Sequence, residues 1–145
     1  MFPALSEVMS YTNPHAITSY KLSFPEKKDK AEVFFTELLK YLWLCKKHEY
    51  DLKLNPDDEN LKFLLVMHQE MRDIDDMWHG FILFTKEYMS FCDKYFDSFI
   101  HHVPNLNIDI PQTPEQFEKD LFKYLSYVYD HLGEETVRLW FKDYV

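Results

Sequence analysis

The chain has 145 residues, of which 46% are hydrophobic and 18% aromatic, and its formal net charge is −9. A chain of this length and apolar content can bury one substantial core, which excludes a disordered protein and favours a single domain. The negative charge disfavours direct contact with nucleic-acid phosphates and with anionic lipid surfaces. The two glycines, Gly80 and Gly133, are too few for a glycine-rich phosphate loop or a dinucleotide-binding fingerprint.

The first 28 residues predict an irregular N-terminal arm, followed by a helical domain over residues 29–145. The arm carries three prolines among mixed polar and apolar residues, so an extended piece at residues 17–24 and a short helical turn near residues 3–9 are both compatible with it. It lacks the basic start and the apolar run of a secretory signal. No apolar stretch in the chain approaches the roughly 20 residues that cross a bilayer, and we therefore expect a cytosolic protein with reduced thiols.

The next two segments carry helical signals. A helix is expected to begin at Asp29, with Glu32 completing a capping box, and to end near His48, because apolar residues recur there every three or four positions. The sequence Asn55-Pro56 then resembles a helix start and predicts a helix through about residue 71. A short buried strand over residues 63–67 is the alternative, and we favour the helix.

The remaining segments predict three or four more helices. One begins at Asp73, the next near Thr85, and the latter is expected to end at the sequence His101-His102-Val103-Pro104. Thr113-Pro114 predicts the start of a long helix that stops at Gly133, and a short helix follows it. The predicted fold is all-α: a single compact domain of about five to six helices with an irregular N-terminal arm.

The residues that could carry chemistry concentrate between positions 73 and 104. Asp75 and His79 are four residues apart and share a helix face, so they could bind one metal ion, or the carboxylate could orient the imidazole. If the two helices fold back near residue 85, His79 could meet the later histidines. The candidate ligands for zinc or another divalent transition metal are Asp75, His79, Cys92, His101 and His102.

A structural interpretation competes with the metal site. His101 and His102 would lie at a helix C-terminus, where the helix dipole favours histidine. Cys92 lies on the apolar stripe of its helix, so burial as a small hydrophobic residue is expected, and burial also disfavours a nucleophilic cysteine–histidine pair. Both interpretations remain open at this point.

The segment from Ile74 to Pro104 resembles the glycine-rich domain-containing protein-like family. The resemblance is carried by Asp75-x-x-Trp78-His79, Thr85-x-x-Tyr88, Phe91-Cys92 and His101-His102-x-Pro104. Relatives often have a second histidine where this chain has Phe81, and a glycine where it has Asp97. The resemblance implies a helical domain of poorly defined biochemical role.

Three functional hypotheses follow. The first is a small binding or interaction domain with a pocket centred on His79, Cys92, His101 and His102. The second is a metal-dependent hydrolase that uses Asp75, His79 and either His101 or His102 as ligands. The third is an acidic inhibitor or adaptor that presents its negative surface to a basic protein partner.

Overall fold

A computed structural model describes residues 2–103 and 113–142 of the chain. These residues form seven α-helices and no β-strand, which confirms the predicted all-α single domain. The helices are α1 (Leu5–Met9), α2 (Pro14–Ser23), α3 (Ala31–Leu54), α4 (Arg72–Leu83), α5 (Thr85–Phe96), α6 (Pro114–Leu132) and α7 (Glu134–Trp140). Short 3₁₀ turns occur at Pro25–Lys30, Glu59–Leu61 and Gln69–Met71. Among the described helices, none has the length and apolar character required to traverse a lipid bilayer.

The 24-residue helix α3 lies at the centre of the fold and packs against α1, α2, α4 and α6. Because it is covered on several sides, its apolar residues do not form one narrow stripe: Leu38, Leu39, Leu42 and Leu44 are all at most 2% exposed. Burying each such side chain contributes about 1.5–3 kcal/mol relative to leaving it in water. Helix α3 therefore provides much of the hydrophobic core.

A buried carboxylate fixes α7 against α3. Glu37 is 5% exposed, and its Oε1 accepts a hydrogen bond of 3.0 Å from Trp140 Nε1. Its Oε2 accepts one of 2.9 Å from Lys40 Nζ. The two bonds satisfy both oxygens of a charge that would otherwise be costly to bury.

The N-terminal arm contains two helices: α1 agrees with the helical turn expected near residues 3–9, whereas α2 replaces the extended piece expected at residues 17–24. The Asn13 side chain accepts a hydrogen bond from Ala16 N at 3.0 Å, and Pro14 occupies the first turn of α2. The sequence does contain this asparagine–proline start signal. Trp43 Nε1 on α3 also donates to Pro3 O at 3.0 Å, so the arm is part of the packed domain.

The helix predicted through residue 71 is wrong, and the alternative strand at 63–67 is absent as well. Side chains of other helices bind the backbone carbonyls of this segment. Tyr124 donates to Val66 O at 2.6 Å, and the His48 ring lies 2.8 Å from Leu61 O. These tertiary hydrogen bonds take the place of helical ones.

Several predicted helix ends also differ. Helix α3 begins at Ala31 without a side-chain cap and extends to Leu54, and Glu32 pairs with Lys21 rather than forming a capping box. Helix α5 begins at the predicted Thr85 but stops at Phe96, five residues before the expected histidines. The signals around α6 were correct, because Thr113 caps its start and Gly133 follows its end.

Candidate metal centre

Three of the candidate ligands come together between α4 and the segment that follows α5. His102 Nε2 lies 2.7 Å from Asp75 Oδ1, and His79 Nε2 lies 3.5 Å from Asp75 Oδ2. One ligand atom from each residue falls within 4.8 Å of the others. A single ion could therefore contact a carboxylate and two imidazoles with small side-chain adjustments.

Helix α4 supplies two of these ligands at the predicted spacing. Asp75 and His79 lie one helical turn apart, at the edge of the face that buries Ile74 and Trp78. Asp73, where this helix was expected to begin, lies inside its first turn and pairs with Lys27 Nζ at 2.6 Å. The start of α4 is thus tied by an ion pair to the 3₁₀ turn Pro25–Lys30, which precedes α3.

A buried hydrogen-bond relay positions the third ligand. Trp78 Nε1 donates to the Tyr88 hydroxyl at 3.0 Å, and that hydroxyl donates to Ile100 O at 2.6 Å. Burial raises the pKa of Tyr88 above its ordinary value, so the hydroxyl keeps its proton. The ring of Trp78 also packs on His102, with 4.2 Å between ring centroids. The segment that carries His102 is therefore held against α4.

The electrostatic surroundings suit a cation. Asp73, Asp75 and Asp76 all belong to the first turns of α4, and burial together with the neighbouring Asp75 raises the pKa of Asp76. The side chain of His79 is 55% exposed, whereas those of Asp75 and His102 are 28% and 18% exposed. The cluster is therefore open to solvent on the His79 side.

The other two predicted ligands lie outside the cluster. Cys92 is fully buried, and burial raises the pKa of its thiol, while the backbone of Ile100 hydrogen-bonds the sulfur. A protonated buried thiol is a poor metal ligand and a poor nucleophile, which favours the structural interpretation of Cys92. His101 is exposed and packs its ring on Phe99 at 4.7 Å.

The dipole explanation of the paired histidines is wrong, because α5 ends before reaching them. The role of Tyr88 was not predicted either, because the sequence pointed to this residue only as part of the motif Thr85-x-x-Tyr88. A tyrosine on an apolar helix face needs a partner for its hydroxyl, and that requirement was the available signal.

The fold and the cluster together define an all-α domain with a carboxylate–bis-imidazole candidate metal centre. Residues 62–139 match the family described as UCP032817-like. The match covers more than half of the chain, so the protein belongs to the UCP032817-like family. The matched stretch includes all three clustered ligands. No curated protein and no solved structure matches the chain significantly.

Proposed function

We propose that the protein is a small metal-binding helical domain in which Asp75, His79 and His102 bind one divalent transition metal ion, with zinc as the best candidate. The observation that carries this proposal is the convergence of three ligand atoms, from two separate segments, within 4.8 Å. Two of the three were candidates on helical spacing alone, and the third approaches from a segment 27 residues away.

The ligand types match the proposed ion. Neutral imidazole nitrogens and carboxylate oxygens bind zinc at about 2.0–2.2 Å, and histidine also suits other divalent transition metals. The ion would replace the direct contact between His102 and Asp75, whose present separation of 2.7 Å is that of a hydrogen bond. Each imidazole would have to present an unprotonated nitrogen, because only such a nitrogen can bind a metal ion, so protons compete with the ion for the site.

Zinc titration of the untagged protein by calorimetry tests the proposal. We expect one equivalent to bind, and a concentration 100-fold above Kd to add about 2.7 kcal/mol to the free energy of unfolding. His102→Gln should weaken binding at least tenfold. His101→Gln is the matched control, because His101 is the adjacent histidine but lies outside the cluster, and it should bind zinc like the wild type.

Two results would overturn the proposal. One is the absence of zinc binding, with thermal stability unchanged by zinc and by a chelator. The other is equal weakening by the two glutamine substitutions, which would place the metal elsewhere.

A hydrolytic role is a second candidate function, and the openness of the cluster favours it. Catalytic zinc sites use three protein ligands and keep a position for water, whereas structural sites are closed by four. Here the described residues supply three ligands, with His79 largely exposed. Hydrolysis of simple phosphate and carboxylate esters by the zinc-loaded protein, abolished by Asp75→Asn, would support this role. Activity that survives in Asp75→Asn would refute it.

The resemblance to the glycine-rich domain-containing protein-like family stays a prediction, and so does the basic protein partner. Both are compatible with a metal-binding domain. A pull-down with the zinc-loaded and the chelated protein would show whether any partner depends on the metal.

A further inference from the structure

A second group of polar side chains lines a cavity of about 650 Å³ on another side of the protein. The cavity lies between the last turns of α3, residues 55–61 and the C-terminal half of α6. Its volume falls within the range of about 300–1,000 Å³ that is usual for small-molecule sites. None of the three candidate metal ligands lines it.

One wall of the cavity is a fixed carboxylate. Asp51 Oδ2 accepts a hydrogen bond of 2.6 Å from the Tyr127 hydroxyl, and Oδ1 accepts one of 2.9 Å from Lys47 Nζ. Burial raises the pKa of Asp51, but these two bonds and the positive charge of Lys47 act against it, and the net effect is a lowered pKa. Asp51 is therefore ionised and already paired, so it is not a free ligand for a cation.

Other lining groups have unused hydrogen-bonding capacity. His131 Nε2 is 3.9 Å from Asp51 Oδ2, which is beyond hydrogen-bond distance, and burial lowers the pKa of His131. At neutral pH its ring thus offers one donor and one acceptor. Within residues 2–103 and 113–142, the side chains of Ser126 and Asn60 form no hydrogen bond either.

The charges around the cavity nearly cancel, and an aromatic ring stands at its edge. Two lysines, Lys47 and Lys123, face three carboxylates, of which one is the paired Asp51. Phe122 also lines the cavity although it is 71% exposed. A neighbouring cavity of about 500 Å³ shares Phe122, so the ring is accessible from two sides.

We propose that this cavity binds a neutral, polyhydroxylated small molecule, such as a sugar or a cyclic polyol. Each hydroxyl of such a ligand can both donate and accept a hydrogen bond. This suits a cavity lined by the imidazole of His131, the amide of Asn60, the hydroxyl of Ser126 and carboxylates. The C–H face of a sugar ring can pack on Phe122, whose ring face carries partial negative charge. The lining carries two lysines and three carboxylates, one of them paired with Lys47, so it gives a phosphate no net attraction and a polyamine only a weak one.

Ligand-detected NMR with defined probes tests this proposal. The polyol probes are glucose, N-acetylglucosamine, trehalose and myo-inositol, and the charged probes are inorganic phosphate and spermidine. All titrations contain EDTA, so the outcome does not depend on the metal centre. We expect at least one polyol to bind saturably, and neither charged probe to bind.

A pair of substitutions locates the binding. Phe122→Ala should weaken the polyol about fivefold or more, the size of a lost aromatic contact of about 1 kcal/mol. Tyr129→Ala is the matched control, since Tyr129 is 57% exposed on the same helix but does not line the cavity. Failure of every polyol probe, saturable binding of phosphate or spermidine alone, or equal effects of the two substitutions would overturn the proposal.

Discussion

The hydroxyl of Tyr88 links the stability of the fold to the geometry of the candidate metal centre. It accepts a hydrogen bond from Trp78 and donates one to Ile100 O, and Tyr88 is only 1% exposed. Ile100 stands two residues before His102. The substitution Tyr88→Phe removes this one oxygen and keeps the ring, so it isolates the contribution of the two hydrogen bonds.

The expected cost follows from the groups left behind. Trp78 Nε1–H and Ile100 O both lose their partner, and each is buried. A buried donor or acceptor without a partner costs about 1–3 kcal/mol, so the two groups left by Tyr88→Phe should lower the free energy of unfolding by about 2–6 kcal/mol. Because the segment carrying His102 is then less firmly held, zinc affinity should fall about tenfold or more, as it does when groups supporting a metal ligand are removed.

Urea unfolding and zinc calorimetry on the same samples measure both effects. Tyr129→Phe serves as the control, since Tyr129 is exposed and its hydroxyl has no hydrogen bond among the described residues; both quantities should stay at wild-type values. A stability change below about 0.5 kcal/mol for Tyr88→Phe would refute the relay, since changes of that size are typical of surface positions. A loss of stability with unaltered zinc affinity would refute its positioning role.

Three further predictions concern other parts of the fold. Glu37→Ala should lower the free energy of unfolding by about 3–5 kcal/mol, because it breaks a buried charge pair and leaves Trp140 Nε1–H unpaired. His131→Gln should reduce the loss of stability that the wild type shows as the pH falls through 6.5, the ordinary pKa of histidine. Burial lowers the pKa of His131 in the folded protein below 6.5. As the pH falls, the unfolded chain therefore protonates this histidine at a higher pH than the folded protein does, and the wild type loses stability. Asp97→Val should destabilise by about 1–2 kcal/mol, since Asp97 has a left-handed φ of 54°.

Chemical unfolding checks all three, and each has its own comparison. Glu32→Ala removes an exposed glutamate of the same helix and should lower the free energy of unfolding by less than about 1 kcal/mol. If Glu37→Ala lowered it no more than Glu32→Ala does, the role of the buried Glu37–Lys40 pair would be contradicted. Identical pH slopes for wild type and His131→Gln would contradict the effect of burial on this histidine. Asp97→Gly should be nearly neutral, because glycine adopts a positive φ readily, and a loss as large as that of Asp97→Val would exclude backbone strain as the cause.

The sequence predicted those features that depend on a few neighbouring residues. Thr113, Pro114 and Gly133 marked both ends of α6, because caps and breakers act within one helical turn. The pairing of Asp75 with His79 was predictable for the same reason. The missed helix α2 carries an equally local signal at Asn13-Pro14, so that error came from giving three prolines too much weight.

Features that depend on distant partners could not be predicted in this way. Residues 62–68 have the apolar periodicity of a helix, yet Tyr124 from α6 and His48 from α3 bind carbonyls in and beside this segment. The Tyr124 bond joins residues that are 58 positions apart in the sequence, and the His48 bond joins residues that are 13 positions apart. A pattern read along the chain contains no information about which distant side chain will reach a given carbonyl.

The third metal ligand illustrates the same limit at the site itself. Read along the sequence, His101 and His102 were equivalent, both assigned to the end of one helix. Because the backbone of Asp97 turns into the left-handed region, α5 stops at Phe96 and the chain leaves the helix axis. The Tyr88 hydroxyl then donates a hydrogen bond to Ile100 O, and of the two histidines only His102 contacts Asp75. The two histidines therefore differ because of the point at which α5 ends. Glycine is the usual residue in the left-handed conformation, so an aspartate at position 97 does not mark this helix end in the sequence.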